Sequence, residues 1–223
     1  MTVDLEFIKN IPYFSGLNAD ELQSVKKVMV KKTAERGEII IMDGTPARKL
    51  FFLVSGAVKI FKTSVDGKEQ IFRILRQGDS FNEVPVFDNG LTPVSAEAMT
   101  VVVLYEIDRD SLDVILRRFP YVARNVIRIL AERIRSLVSL VEDLSFRNVV
   151  GRVAKILYET ASDHKATEHR LTQQEMAAMA GTAREVVGRS LKSLEEEGII
   201  SLDRHRILIK NKEALRQKVM EVV

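Results

Sequence analysis

Residues 171–191 read LTQQEMAAMAGTAREVVGRSL, which has the spacing of two short helices joined by a tight turn. Thr172 stands three residues before Glu175. In that arrangement the hydroxyl accepts an orphan backbone N–H and the carboxylate reaches back to the cap, so a helix is predicted to start there. Met176, Ala177 and Ala180 give it a small apolar face. Gly181 follows, the residue type that turns a chain through left-handed backbone at least cost. Thr182 and Glu185 repeat the capping spacing, which predicts a second helix beginning at once. Val187, Leu191 and Leu194 face inward at helical spacing, and Arg184, Glu185, Gly188 and Arg189 face outward.

A tight helix pair with a glycine turn is the helix-turn-helix pattern, in which the first residues of the second helix meet base edges in the major groove. Arg can grip guanine with two hydrogen bonds and Glu can accept one from cytosine. A hairpin that serves packing alone could show the same alanine and glycine, but the flanks favour a DNA reader. Glu195, Glu196 and Glu197 close the second helix with charge that repels phosphate, so that end points away from DNA. Gly198 ends it, and two β-rich runs, 199–202 and 206–209, flank a polar Asp203-Arg204-His205 turn. The result is a winged helix-turn-helix. Its candidate DNA contacts are Thr172, Thr182, Arg184, Glu185, Arg189 and Lys192.

Composition narrows the remaining choices. The 223 residues have room for two domains, and 46% hydrophobic content supports real cores. A net charge of +3 is mild, so nucleic-acid contact depends on local clustering, which the second helix supplies with three cations against one carboxylate over 182–192. There is no cysteine, which excludes disulfides, thiolate zinc sites and cysteine-ligated iron-sulfur clusters. No run of eighteen apolar residues and no secretion leader is visible, so a cytoplasmic protein without membrane contact is expected.

Residues 7–24, FIKNIPYFSGLNADELQS, form a helical entry broken at Pro12 and Gly16, with Asn18 or Asp20 available as a cap, and are expected to lid the domain that follows. From Val28 to Ile107 short β-rich runs alternate with turn residues, and Gly37, Gly44, Gly56, Gly67 and Gly78 punctuate them. Asp66-Gly67 marks a hairpin, and seven or eight such strands make a sandwich or β-roll. A roll of this size can hold one small ligand between its sheets. A β-domain without a pocket is the plainer alternative.

After Asp110 the pattern is helical for more than thirty residues, with Pro120 as the interruption, and it reads as one long helix. Ile127, Leu130, Ile134, Leu137, Val141 and Leu144 step by three and four, the seam of a coiled coil, so a second copy is expected to pack there. Val126, Ile129, Val138 and Leu140 widen the surface toward a roll of the same or the partner subunit. Burial of the seam within one chain is the alternative. The next helix, 147–161, has Val149, Val153, Ile156 and Leu157 as its core face, which places a hinge at 145–148.

Together these residues resemble the CRP/FNR family of bacterial transcription regulators over nearly the whole chain. The phrases that carry the resemblance are IPYFSGLNADEL, FFLVSGAVKIFKTSVDGKEQIFRILRQGDSF, NEVPVFDNG and TQQEMAAMAGTAREVVGRSLKSLEEEGIIS. It implies an α+β chain in three parts: a cyclic-nucleotide-binding-like double-stranded β-helix (1–110), a long dimerisation helix (111–145) and a winged helix-turn-helix (146–223). It also implies a homodimer whose two reading helices are set by an effector in the roll. Arg184, Glu185 and Arg189 would then read TGTGA-like half-sites of an inverted repeat in double-stranded DNA, with RNA polymerase as a further partner.

The departures bear on the effector. Cyclic-nucleotide binders of the family hold the phosphate with an Arg-Ser pair after an FGE-type phrase, whereas Thr92-Pro93 stands here and Asn82 replaces the glycine, leaving Glu83. Leu137 and Val138 stand where polar residues would meet the base, so cyclic AMP is disfavoured. The effector pocket is assigned to Phe72, Ile74, Phe81, Asn82, Glu83, Thr92, Arg133 and Leu137. The three histidines, His164, His169 and His205, lie beyond the roll, which disfavours histidine-ligated haem there and leaves haem with other ligands open. Ser190 takes a place the family fills with an apolar side chain. A cupin-like metal enzyme would need histidine ligands before residue 164, where there are none. A constitutive DNA-binding protein with a purely structural roll is the remaining competitor.

Overall fold

A computed structural model describes residues 3–162, 171–203 and 206–220. His164, His169, His205 and Arg204 of the wing turn lie outside the described residues. The described part divides into two compact units, one of residues 1–62 and 73–136, the other of 63–72 and 137–223.

The chain enters through α1 (Leu5–Lys9), a 3₁₀ turn (Pro12–Phe14) and α2 (Ala19–Val28). Asn18, rather than Asp20, caps α2: its side chain accepts from the Glu21 N–H at 3.0 Å and the Glu21 carboxylate accepts from the Asn18 N–H at 2.8 Å. The entry is part of the core, with Ile8, Ile11, Tyr13, Phe14 and Val25 all buried.

Eight strands follow: β1 (Val30–Ala34), β2 (Ile39–Ile41), β3 (Lys49–Ser55), β4 (Val58–Thr63), β5 (Glu69–Leu75), β6 (Ser80–Phe81), β7 (Ser95–Ala98) and β8 (Val102–Asp108). They form two four-stranded sheets, ordered β1-β8-β3-β6 and β2-β7-β4-β5. In β3 the apolar run Leu50, Phe51, Phe52 and Leu53 is buried on both faces. Leu50 and Phe52 join the cluster under the N-terminal helices, and Phe51 and Leu53 join the cluster between the sheets. Gly67, at φ 77, makes the β4–β5 turn read from Asp66-Gly67, with the Gly67 N–H donating to the Ser64 carbonyl at 2.9 Å.

Between β6 and β7 lies a short helix, α3 (Glu83–Asp88), that the strand pattern does not announce. Asn82 precedes it in left-handed backbone, φ 75 and ψ 29, which explains how the family's glycine can be replaced: Asn is the side chain that tolerates this region best.

The expected single long helix is two. Helix α4 (Arg109–Arg118) ends at Phe119, φ −127 and ψ 84, and α5 (Pro120–Phe146) begins at the proline itself. Pro120 pushes the residue before it out of helical backbone, and its missing N–H costs nothing in a first turn, so it starts a helix rather than bending one. The expected packing face also divides. Val126 is buried in the roll's core, with Ile129 and Leu130 packed against it, so the seam residue Leu130 is partly covered by its own chain. Ile127, Ile134, Leu137, Val138 and Val141 are 52–68% exposed and Leu144 is 39% exposed.

The second unit holds α6 (Val149–Ser162), α7 (Gln173–Ala180), α8 (Arg184–Glu196), β9 (Ile200–Asp203), β10 (Arg206–Ile209) and α9 (Lys212–Met220). β9 and β10 pair antiparallel, Ile207 opposite Leu202 and Ile209 opposite Ile200. Val153, Ile156 and Leu157 of α6 form a core with Met176, Ala177, Ala180, Val187, Leu191 and Leu194, and Val149 lies at its edge.

Candidate nucleic-acid interface and sensor site

Helix α7 starts with the capping box read from the sequence. The Glu175 N–H donates to the Thr172 hydroxyl at 3.2 Å and the Glu175 carboxylate accepts from the Thr172 N–H at 2.7 Å. Gly181 ends it in left-handed backbone, φ 63 and ψ 40. A Cβ at this turn would meet the Leu144 methyl Cδ2 of α5 at 2.8 Å, which that flexible side chain can yield, so it is the left-handed backbone that calls for glycine.

Helix α8 does not start as expected. Its N-cap is Ala183, without a side-chain hydrogen bond, and the first helical residue is Arg184. The Thr182 N–H is taken by the Ala177 carbonyl at 3.0 Å, closing the end of α7. That closure uses Thr182, so the second helix begins one residue later. Glu185 is therefore left without a capping role, and Arg184, Glu185 and Arg189 are exposed with no ion pair among the described residues. Lys192 is exposed one turn beyond, 3.8 Å from Glu196. Gly188 leaves the middle of the face low.

The back of α8 is fixed. Val187, Leu191 and Leu194 are fully buried. Ser190 is buried at 3% exposure, and its hydroxyl donates to the Val186 carbonyl at 2.9 Å, so the polar atom in an apolar place is satisfied by its own helix. Of the three terminal carboxylates, Glu195 accepts from the Leu202 N–H at 2.7 Å and anchors the wing, and Glu197 pairs with Lys218 at 3.0 Å.

Three of the residues assigned to the effector pocket differ in what they do. Phe81 is a core residue, 3% exposed and stacked on Phe51 with centroids 5.1 Å apart. Asn82 donates from Nδ2 to the Lys49 carbonyl at 2.7 Å. Glu83, 3% exposed, is held from both sides. The Tyr13 hydroxyl donates to its Oε1 at 2.9 Å and the Arg133 guanidinium of α5 pairs with its Oε2. Arg133 also donates from Nη2 to the Ser80 carbonyl at 2.5 Å and hydroxyl at 2.8 Å.

Burial, and then the Glu83 charge, push the Tyr13 phenol far above its ordinary range, so it is a donor at every physiological pH. Thr92 is buried with its hydroxyl unpartnered among the described residues. Ile74 is half-buried, and Phe72 and Leu137 belong to the second unit. Tyr13 was missed by sequence reasoning, since nothing local marks an aromatic seventy residues from its partner.

Among the described residues no group of three His, Asp or Glu side chains is placed to hold a metal, and no helix is long and apolar enough to cross a membrane.

Residues 31–119 match the cyclic nucleotide-binding domain and residues 151–218 the Crp-like helix-turn-helix domain. The chain is 31% identical over 220 residues to the CRP-like cAMP-activated global transcriptional regulator of Mycobacterium tuberculosis, covering 96% of this chain and 98% of that protein. It is 31% identical over 195 residues to the cyclic AMP receptor protein of Thermus thermophilus, covering 87% and 90%. Among solved structures, the c-di-GMP responsive global regulator CLP of Xanthomonas campestris shares the fold with a TM-score of 0.77 at 21% identity, over 86% of this chain and 99% of that one. The Thermus thermophilus catabolite activator protein matches with a TM-score of 0.56 at 29% identity, over 94% and 98%.

The two helix starts give a direct test. Thr172→Ala removes a hydrogen-bonded cap and should lower stability by about 1 kcal/mol. Glu185→Ala removes only a favourable charge near a helix start and should cost about 0.3–1 kcal/mol at most. Thermal melts of both variants check the order, and a larger loss for Glu185→Ala would contradict the cap geometry.

Proposed function

The chain belongs to the CRP/FNR family of bacterial transcription regulators, and from that premise we propose that it works as a homodimer on an inverted repeat, governed by a small effector other than cyclic AMP in the roll. It is a DNA-binding transcription regulator and, like its relatives, not an enzyme. On this reading it acts in the cytoplasm, with RNA polymerase as a further partner.

The observation that carries the reading is the apolar stripe of α5. Ile127, Ile134, Leu137 and Val141 repeat at coiled-coil spacing and are more than half exposed. Full burial of such a side chain is worth about 1.5–3 kcal/mol, so a second copy of the helix has a strong reason to cover them. DNA reading falls to the first turns of α8, where Arg184, Glu185 and Arg189 are exposed and unpaired among the described residues. Lys192 then serves backbone contact.

A cyclic phosphate fits the sensor residues poorly. Thr92-Pro93 offers no guanidinium, and the Glu83 carboxylate is already committed to Tyr13 and Arg133. Thr92-Pro93 thus brings no counter-charge to a buried phosphate. The same ion pair favours a second reading, a constitutive regulator whose roll binds nothing, because Arg133 itself fills the place of a ligand on Glu83.

Three measurements test these assignments. Calorimetry should show no binding of cyclic AMP at micromolar concentration, and a micromolar dissociation constant would refute the assignment. Leu137→Glu places like charges in a dry seam and should give monomers in sedimentation at micromolar concentration. A variant that stays dimeric would assign the seam to the interior of one chain. Arg184→Ala should cost about 1–3 kcal/mol on the cognate site and relax the preference at one base pair, with nonspecific affinity falling much less. Site selection from random DNA reads this out, and identical motifs from both proteins would remove the base-reading role of α8.

A further inference from the structure

Between the end of α5 at Phe146 and the start of α6 at Val149 only Arg147 and Asn148 are non-helical. Each is tied to its own helix, the Arg147 N–H donating to the Asp143 carbonyl at 3.2 Å and the Asn148 Oδ1 accepting from the Gly151 N–H at 2.7 Å, but among the described residues no backbone bond crosses from one helix to the other, so side chains are left to set their angle.

The side chains that do so form a single cluster, and all of them lie in the second unit. Asp143, near the end of α5, is 9% exposed. Its Oδ1 accepts from Arg147 Nε at 2.6 Å and its Oδ2 from the Lys155 ammonium of α6. Lys155 also donates to the Ser139 hydroxyl at 2.9 Å, one turn earlier on α5. The Lys155 side chain is 19% exposed and that of Asp143 is 12% exposed, so the pair is screened little by water or salt.

Three residues before Lys155, Arg152 donates from Nη1 to the Arg147 carbonyl at 2.7 Å, on the joint itself, and from Nε to the Ala180 carbonyl at 2.8 Å, the last residue of α7. One face of α6 thus grips the end of α5, the joint and the helix that leads into α8.

The geometry points to Asp143 and Lys155 as residues that select DNA by spacing. They fix the angle between the long helix and the reading domain, and in a dimer that angle sets the distance between the two α8 helices. This rests on the reading of the protein as a dimer on an inverted repeat. Neither residue touches a base: both are positioning residues, and they act on the spacer between half-sites while Arg184, Glu185 and Arg189 act on the sequence of each. The B-DNA repeat makes the selection sharp, because one added base pair moves a half-site along the axis and rotates it by about a tenth of a turn.

The test is a set of operators with identical half-sites and spacers that differ by one base pair, titrated by fluorescence anisotropy, together with a single half-site. The wild type is expected to prefer one spacer over its neighbours by about tenfold or more, the cost of a typical misfit. Lys155→Met and the near-isosteric Asp143→Asn should each narrow that preference to about threefold or less, and Lys155→Arg should restore it. Affinity for the single half-site and base preference within it should stay within about twofold, which also shows that the reading domain is folded.

Variants that keep the wild-type spacer preference overturn the proposal. Variants that lose single-half-site affinity along with the spacer preference overturn it too, since the cluster would then serve folding alone. A wild type that binds one half-site as tightly as any pair removes the inverted-repeat reading, and the proposal with it.

Discussion

A carboxylate that is 3% exposed needs either a proton or partners, and Glu83 has a partner on each side. Tyr13 comes from the N-terminal turn, Arg133 from the long helix, and Ser80, at the strand before α3, holds the same guanidinium. The cost of dehydrating these charges is large, and it is offset only when all of the groups are in place together. The N-terminal entry, α3 and the first half of α5 are therefore cooperatively fixed on the roll. Loss of the α5 contact would strand the buried Glu83 charge, and loss of the entry would take a hydrogen bond from it. The apolar contacts around the cluster add area, with Tyr13 edge-on to Phe52 at 5.2 Å, but it is the ion pair that makes the register of α5 specific.

That register has a consequence for the rest of α5. Once Arg133 faces Glu83 and Val126 faces the roll's core, helical geometry turns Ile127 and Ile134 about a quarter-turn away, where no described element covers them, while Leu137 and Val141 lie beyond the roll contacts and are also more than half exposed. One helix thus carries two incompatible demands for burial, and a single chain can meet only one. The exposure of Ile127 and Ile134 follows from the buried salt bridge as well as from their own sequence spacing.

The reading domain was legible because its signals are local. A capping box, a left-handed glycine and the inward stripe of α8 each lie within four residues of their partners, and each is found where the spacing puts it. Thr182 shows the limit of that logic. Its capping spacing with Glu185 is as good as that of Thr172 with Glu175, but the N–H of Thr182 is needed to close α7, a demand visible only when both helices are considered together. The split at Phe119 has a related cause: the interruption expected at Pro120 is a helix start, because proline is preorganised for the first helical position. The Glu83 network was half legible. The resemblance marked Glu83, and the pocket assignment included Arg133, but Tyr13 is brought to it by the fold alone.

The α5–α6 joint shows why ions rather than apolar side chains suit such a place. Replacing a buried ion pair with hydrophobic residues of similar volume is often neutral or favourable for stability, so stability alone does not explain why charges stand at Asp143, Arg147 and Lys155. Apolar attraction is non-directional, so a small apolar contact limits the angle less than a charge-assisted hydrogen bond does. A carboxylate between a guanidinium and an ammonium accepts only a narrow set of approach angles, and displacement leaves charge buried without a partner. Leu144 lies against Gly181 at the same end of α5. The apolar contact brings the helix and the turn together, and the ions decide the angle at which they are held.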